Sequence, residues 1–344
     1  MSLQSGLVGT EGNRAEPGSG ILVLGGSGFV GSAIIKAAMG SGGLQPIACM
    51  RKRNPAFDGT GIETRLCDAT DAGALERALD GVTYAVNCVL GSPATMIAAT
   101  RNLCRVARQS GLRRIVHLSS MAVYGAATGL VDETAPLRAI SPYGRAKVQC
   151  EAIIRDFVSA GGDATVIRPG CIYGPGGEQW VGRIARWLRS GRLGTLDDLG
   201  EGICNLTFND DLARAVVGSL TAACTRGEVF NLVDHDPGTW NQYFTDLGQA
   251  TGGILRQISA ARIHLEAFVL APPLQVAKIG AWRIGLDPTR LPAPITPSLL
   301  RLWRQPMRLD SRKADTLLRL RRTPQKEGIT QSAAWFREVE AASP

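Results

Sequence analysis

Apolar positions along the chain gather into short continuous runs separated by amphipathic stretches. Residues 21–24 form the first run, and a glycine turn at 25–31 leads from it into a helical pattern over 30–40. The pattern then predicts a strand over 46–50, a short helix over 74–79, a strand over 83–88 and a helix over 95–110 that Gly111 ends. A strand at Arg114–Leu118, a helix at Pro142–Ser159 and a strand over 164–167 continue the alternation. Unbroken apolar runs fit strands buried on both faces, and their alternation with helices places them in one parallel sheet with right-handed crossovers.

After Gly174 the regularity weakens. Residues 180–190 read as an amphipathic helix with Arg183, Arg186 and Arg189 along one side, 211–223 as another helix and 229–233 as a short strand. From Gly253 onward, proline-rich pieces alternate with short helical patterns. The expected division is a disordered leader (1–20), a parallel-sheet domain (21–174) and a smaller lobe in two parts (175–204 and 241–330). Residues 205–240 are expected to return to the main sheet, and 331–344 to form a C-terminal tail. The expected fold class is α/β: a Rossmann-type doubly wound parallel sheet with a smaller, mainly helical lobe.

At 344 residues the chain has ample material for such a core. Its formal net charge of +8 fits an anionic substrate or nucleic acid on one side and a solvated surface on the other, and the scatter of the basic residues favours the solvated surface. Eight cysteines without a C-x-x-C pair suggest buried thiols in a reducing compartment, and cytoplasmic placement is expected. Three histidines without metal-like pairing make no metal the expectation. The start, 1–20, lacks the apolar core of a signal peptide. The apolar stretch 265–282 contains Glu266, Pro272, Pro273 and Lys278 and reads as a poor membrane span, so neither membrane nor nucleic acid is expected as a partner.

The glycine turn carries the first chemistry. Gly25, Gly28 and Gly31 are spaced G-x-x-G-x-x-G between a strand and a helix start. Such a turn lets the backbone approach a pyrophosphate, and the helix N-terminus offers unpaired N–H donors. About twenty residues past such a turn, an acid commonly binds the ribose diol of NAD. Here Arg51 stands there, followed by Lys52 and Arg53. A guanidinium suits a 2′-phosphate, so NADP is favoured, with NAD possible.

The second constellation is Tyr143-Gly144-Arg145-Ala146-Lys147. Ser141 is a good N-cap and Pro142 suits the first helical position, which places Tyr143 in the first turn and Lys147 one turn on, on the same face. A nearby ammonium favours a phenolate, so Tyr143 is a candidate acid/base. Upstream, the strand Arg114–Leu118 ends in Ser119-Ser120, whose hydroxyls can bond a substrate oxygen.

Together these parts resemble the extended short-chain dehydrogenase/reductases, the NAD-dependent epimerase/dehydratase family. The resemblance runs over about 21–336 and rests on GGSGFVG, LCDAT, HLSSMAVYG, YGRAK, IRPGCIYGPG and FNDDLARAV. It implies Tyr143 as the catalytic acid/base, Lys147 as the ribose-binding lysine that lowers the tyrosine pKa, and Ser120 as the residue orienting the substrate oxygen. It implies a cofactor site of Gly25, Gly28, Phe29, Val30, Gly31, Arg51, Asp68, Ala69, Asn87, Cys88, Val89, Ser119, Tyr143 and Lys147. Pro169, Gly170 and Ile172 would run along the nicotinamide, and Asp68 would meet the adenine. Tyr124, Tyr173 and Arg183 are the candidate substrate residues. The resemblance also implies a homodimer through the helices 95–110 and 142–159.

Two departures carry information. Met121 and Ala122 stand where sugar-nucleotide dehydratases of the family carry an acid pair, which excludes a 4,6-dehydratase. Residues 96–100 lack the usual Asn and Gly, and the preceding loop is short, so part of a sugar-nucleotide cleft is missing. The leading function is hydride transfer between NADP(H) and a carbonyl or secondary alcohol on a sugar derivative or a more hydrophobic compound. The alternatives are a nucleotide-sugar epimerase that retains its cofactor and, third, a non-catalytic dinucleotide sensor.

Overall fold

The structure, a computed structural model, describes residues 18–284 and 291–342. The strands are β1 (Ser19–Leu24), β2 (Leu44–Met50), β3 (Glu63–Leu66), β4 (Tyr84–Asn87), β5 (Arg114–Leu118), β6 (Gly129–Val131), β7 (Ala164–Pro169), β8 (Cys171–Tyr173), β9 (Leu206–Phe208), β10 (Val229–Leu232) and β11 (Met307–Leu309). Seven of them form one parallel sheet in the order β10-β7-β5-β4-β1-β2-β3, while β8 pairs with β9 and β6 with β11. The strand order reverses between β1 and β4, and the crevice outside the carboxyl ends of these two strands is where such sheets take ligands.

Flanking the sheet are α1 (Phe29–Gly40), α2 (Ala72–Ala78), α3 (Pro93–Ala107), α4 (Pro142–Ser159) and α6 (Asn209–Thr221), while α5 (Arg183–Arg189) packs into the lobe core. Those that follow are α7 (Trp240–Thr251), α8 (Ala260–His264), α9 (Ala271–Arg283), α10 (Pro297–Trp303), α11 (Arg312–Leu318) and α12 (Gln325–Ala341). Alternate residues of β1 feed two cores: Ile21 and Val23 pack with Ile34 of α1 and Val216 of α6, and Leu22 and Leu24 with Leu103 of α3 and Ile154 of α4. A third core fills the lobe around Trp240 and Trp303, whose ring centroids lie 6.4 Å apart, with Tyr243, Phe244 and Phe208 buried beside them.

Several sequence expectations change. The edge strand β3 is absent from the apolar pattern because Glu63, Thr64 and Leu66 are exposed, as suits a strand with one free edge. The helix over 180–190 opens with a π-helical turn, Glu178–Gly182, before α5. Its basic side is not free: Arg186 pairs with Glu178 and Glu340, and Arg189 with Glu340. The supposed tail belongs to α12, which buries Phe336. The leader lies outside the described residues up to 17, and the chain is already in β1 at Ser19. The eight cysteines are free thiols; Cys224 is exposed rather than buried.

Candidate active site

The glycine turn is built by close approach. Gly25 has φ +83°, and the Gly25 and Gly26 amides both donate to Cys49 O, at 3.1 and 3.0 Å, tying the turn to β2. A β-carbon on Gly31 would stand 2.3 Å from Gly25 O, so α1 rests directly on the turn only because this position is glycine. Gly28 is the N-cap of α1 and supplies no side chain to satisfy the first-turn amides. Those donors, with the positive end of the helix dipole, face the crevice where a phosphate would sit. Asn209 Nδ2 holds the start of α1 through a 3.1 Å bond to Phe29 O.

The Ser–Tyr pair is assembled by a second close approach. Ser120 follows β5 and accepts from Ala122 N at 3.2 Å, capping the short turn Met121–Tyr124. Ser141 Oγ accepts from Gly144 N at 2.9 Å and starts α4, with Pro142 at its first position. A β-carbon on Gly144 would lie 2.6 Å from Ala122 O. The helix carrying Tyr143 therefore packs against the turn carrying Ser120, and both residues line the same cavity.

Electrostatics at Tyr143 differ from the expectation. Burial pushes its phenol above the ordinary tyrosine range, and the Ser120 hydroxyl pulls the other way. Lys147 is buried, lies 5.9 Å from the Tyr143 ring centroid, and donates from Nζ to Leu118 O at 2.6 Å. Burial lowers the pKa of Lys147 itself. Its ammonium thus bonds a strand-end carbonyl while lying over the Tyr143 ring. His117 is buried and held neutral by desolvation.

A cavity of about 1210 Å³ runs from the glycine turn past the Ser–Tyr pair to the lobe. Gly25, Gly28, Phe29, Val30, Gly31 and Cys88 line one end; Ser119, Ser120, Tyr143, Pro169, Gly170 and Ile172 line the middle. Met121 and Ala122 also face it, and Glu178, the one acidic lining residue among the described residues, pairs with Arg186. The far wall consists of Leu90, Trp180, His264, Phe268 and the segment 297–307, none of which the sequence motifs marked. This wall comes from packing of the distant Trp303 region and has no local signature.

Other expected site residues lie elsewhere. Arg51 and Asp68 are exposed at the ends of β2 and β3, beyond the cavity. Asp68 Oδ1 accepts from Thr70 N and Oγ1 at 2.9 and 2.7 Å, which holds its carboxyl below the usual range, helped by Arg51. Asn87 is committed to Thr100 and to the Val89 amide, and neither Val89 nor Ala69 reaches the cavity. Tyr124 is not among the cavity-lining residues: it is buried, donates to Asn231 Oδ1 at 2.6 Å and accepts from Arg168 at 2.8 Å. That arginine also forms a buried pair with Glu151, which accepts from Ser119 Oγ, so Tyr124 belongs to a polar brace behind the site. Tyr173 is likewise buried and donates to Asp234 Oδ2 at 2.9 Å. Arg183 stands behind the wall, its guanidinium 5.8 Å from the Trp180 ring and 5.0 Å from the Trp187 ring, with Nε and Nη2 buried and unpartnered among the described residues. Among the described residues no group of His, Cys, Asp or Glu is placed to hold a metal ion.

Comparison with known proteins extends this picture. An N-acetyl-α-D-glucosaminyl-diphospho-ditrans,octacis-undecaprenol 4-epimerase of Escherichia coli O157:H7 is 24% identical over 67% of this chain and 72% of its own length. A 2-alkyl-3-oxoalkanoate reductase of Stenotrophomonas maltophilia (strain K279a) is 28% identical over 67% of this chain and 76% of its own. The crystal structure of a UDP-glucuronic acid 4-epimerase from Bacillus cereus in complex with NAD shares the fold, with a TM-score of 0.70 and 17% identity over 93% of this chain and 99% of that one. Residues 21–232, most of the chain and all seven strands of the main sheet apart from the first two residues of β1, match the NAD dependent epimerase/dehydratase family, and the protein belongs to it.

Proposed function

We propose that the protein is an NAD(P)-dependent oxidoreductase that transfers hydride between NADP(H) and a carbonyl or secondary alcohol on a substrate with a bulky apolar part. One observation carries the reading: Tyr143 and Ser120 share a cavity wall whose remaining lining holds no unpaired carboxylate among the described residues. A proton can be exchanged there at the Tyr143 phenol oxygen, while Met121 and Ala122, beside Ser120, offer no acid pair for an elimination. Ser120 fixes the substrate oxygen beside the phenol. The far wall, with Leu90, Trp180, Phe268, Leu299 and Leu300, favours hydrocarbon.

The residues present fit a nicotinamide dinucleotide. The glycine turn leaves room that β-carbons would fill, the α1 amides suit the pyrophosphate, and Arg51 suits a 2′-phosphate. When bound, that group supplies or accepts the hydride. Lys147 would exchange its bond to Leu118 O for the ribose hydroxyls. The test is NADPH oxidation against a panel of hydrophobic ketones and sugar nucleotides, compared with Tyr143→Phe.

A second reading, an epimerase that keeps its cofactor, draws on Arg301 and Arg304. Both are exposed, line the cavity and lack a carboxylate partner among the described residues, so they suit a diphosphate. Net cofactor consumption separates the two. We also infer a cytoplasmic homodimer through the outer faces of α3 and α4, where Ile97 and Ile153 are half-buried; Val106 is buried inside the core and is not part of that face. A monomer mass by light scattering contradicts the dimer.

A further inference from the structure

We infer that the helical unit 260–284 is a docking surface for an anionic lipid bilayer, set beside the mouth of the cavity. The unit runs through α8, a π-helical turn (Leu265–Leu270) and α9. Its polarity is inverted. Ile263, Glu266, Ala267 and Ala271 point inward, and Glu266 is paired with Arg192 at 2.7 Å. The large apolar side chains point outward: Phe268 is 57% exposed, Val276 69%, Ile279 54% and Ile284 73%, with Leu265, Val269 and Leu270 beside them. A helix that hides its acid and shows its hydrocarbon calls for an apolar partner on its outer face.

Charge selects the partner. Within 260–284 the sequence holds three cations, Arg262, Lys278 and Arg283, against one acid, the inward Glu266 that Arg192 already pairs. Arg262 and Arg283 are exposed and Lys278 half-exposed around the apolar face. A second copy docked by a two-fold axis would set these cations against themselves. An anionic lipid supplies both, hydrocarbon from its acyl chains and the opposite charge from its headgroup phosphate. No helix among the described residues is long and apolar enough to cross a membrane, so the unit lies on the surface rather than spanning it. The sequence reading, which tested 265–282 only as a span, expected no membrane partner.

The surface is continuous with the site. His264 and Phe268 belong both to this unit and to the cavity lining. A lipophilic substrate would therefore enter from the bilayer without crossing water; this part rests on the oxidoreductase reading, while the docking surface stands on the exposed side chains alone.

The test is flotation of the full chain with phosphatidylcholine vesicles, with and without phosphatidylglycerol, alongside its mass in solution by light scattering. The comparison variant is Val276→Asp/Ile279→Asp, two exposed positions away from the cavity lining. The expected result is binding to the anionic vesicles, weakened by salt, and a fall in the partition coefficient of about tenfold or more in the variant, since two buried aliphatic side chains are lost. Absence of vesicle binding overturns the proposal, as does binding that the variant retains. An oligomer that the variant converts to a smaller species, without vesicle binding, assigns the face to a second copy and also overturns it. NADPH turnover of a short water-soluble ketone tests the oxidoreductase reading separately and should be equal in both proteins.

Discussion

A β-carbon on Gly144 would come within 2.6 Å of the Ala122 carbonyl oxygen, so the helix that carries Tyr143 and the turn that carries Ser120 meet at a glycine. The contact is backbone against backbone and has little room to relax. Gly144→Ala should push α4 from the turn and separate the phenol from the serine. Misplacement of about 1 Å costs on the order of 100-fold in turnover. Cofactor affinity, set largely at the glycine turn, should change far less. Steady-state kinetics with a parallel fluorescence titration of NADPH checks this, and an unchanged kcat refutes the role given to the contact.

Arg51 follows β2 directly and helps hold the Asp68 carboxyl in its charged form. Its exposed guanidinium should favour the 2′-phosphate, so the protein should bind NADPH more tightly than NADH. Arg51→Ala should remove most of that preference, roughly tenfold for one charge-assisted contact. Titration of both dinucleotides decides it; tighter NADH binding by the parent protein contradicts the assignment.

Asp234 is buried between Tyr173 and Asp211, and burial pushes its carboxyl up to about 7. A raised carboxyl pKa favours the protonated native state. Its stabilising contribution is complete below about pH 4 and is lost as pH rises through about 7. Asp234→Asn should therefore flatten the fall in Tm between pH 4 and 7 relative to the parent. Thermal melts across that range test it, and parallel Tm–pH curves for the two proteins would show that this group does not titrate there.

Lys147 offers a further test of the site's wiring. Its Nζ is bonded to Leu118 O, and its own pKa is lowered by burial. Lys147→Ala should weaken cofactor binding and lower turnover together, whereas Ser120→Ala should lower turnover by roughly 10-fold or more with cofactor binding intact, as one substrate hydrogen bond disappears. Loss of turnover with unaltered cofactor affinity in Lys147→Ala would remove it from the cofactor site.

What the sequence made legible was local. The turn at Gly25–Gly31 and the Tyr143–Lys147 turn are read from spacing because both are fixed within one strand–turn–helix or one helical turn. That Tyr124 and Tyr173 turn away from the cavity was not legible, because their hydroxyls are held by Asn231 and Asp234, 107 and 61 residues away. The strand β3 escaped the apolar pattern because it is a charged edge. The far cavity wall depends on how α10 settles against the Trp240–Trp303 core, and no periodicity within 297–307 encodes that.

The central claim, hydride exchange governed by the Tyr143 phenol, is tested most directly by reacting deuterium-labelled NADPH with a hydrophobic ketone that the parent protein reduces. Deuterium should appear on the product carbinol carbon with one cofactor consumed per product, and Tyr143→Phe should slow the transfer ~100–10,000-fold while still binding NADPH. Transfer at the parent rate in Tyr143→Phe, or an inverted sugar centre formed with no net cofactor consumption, would contradict the account.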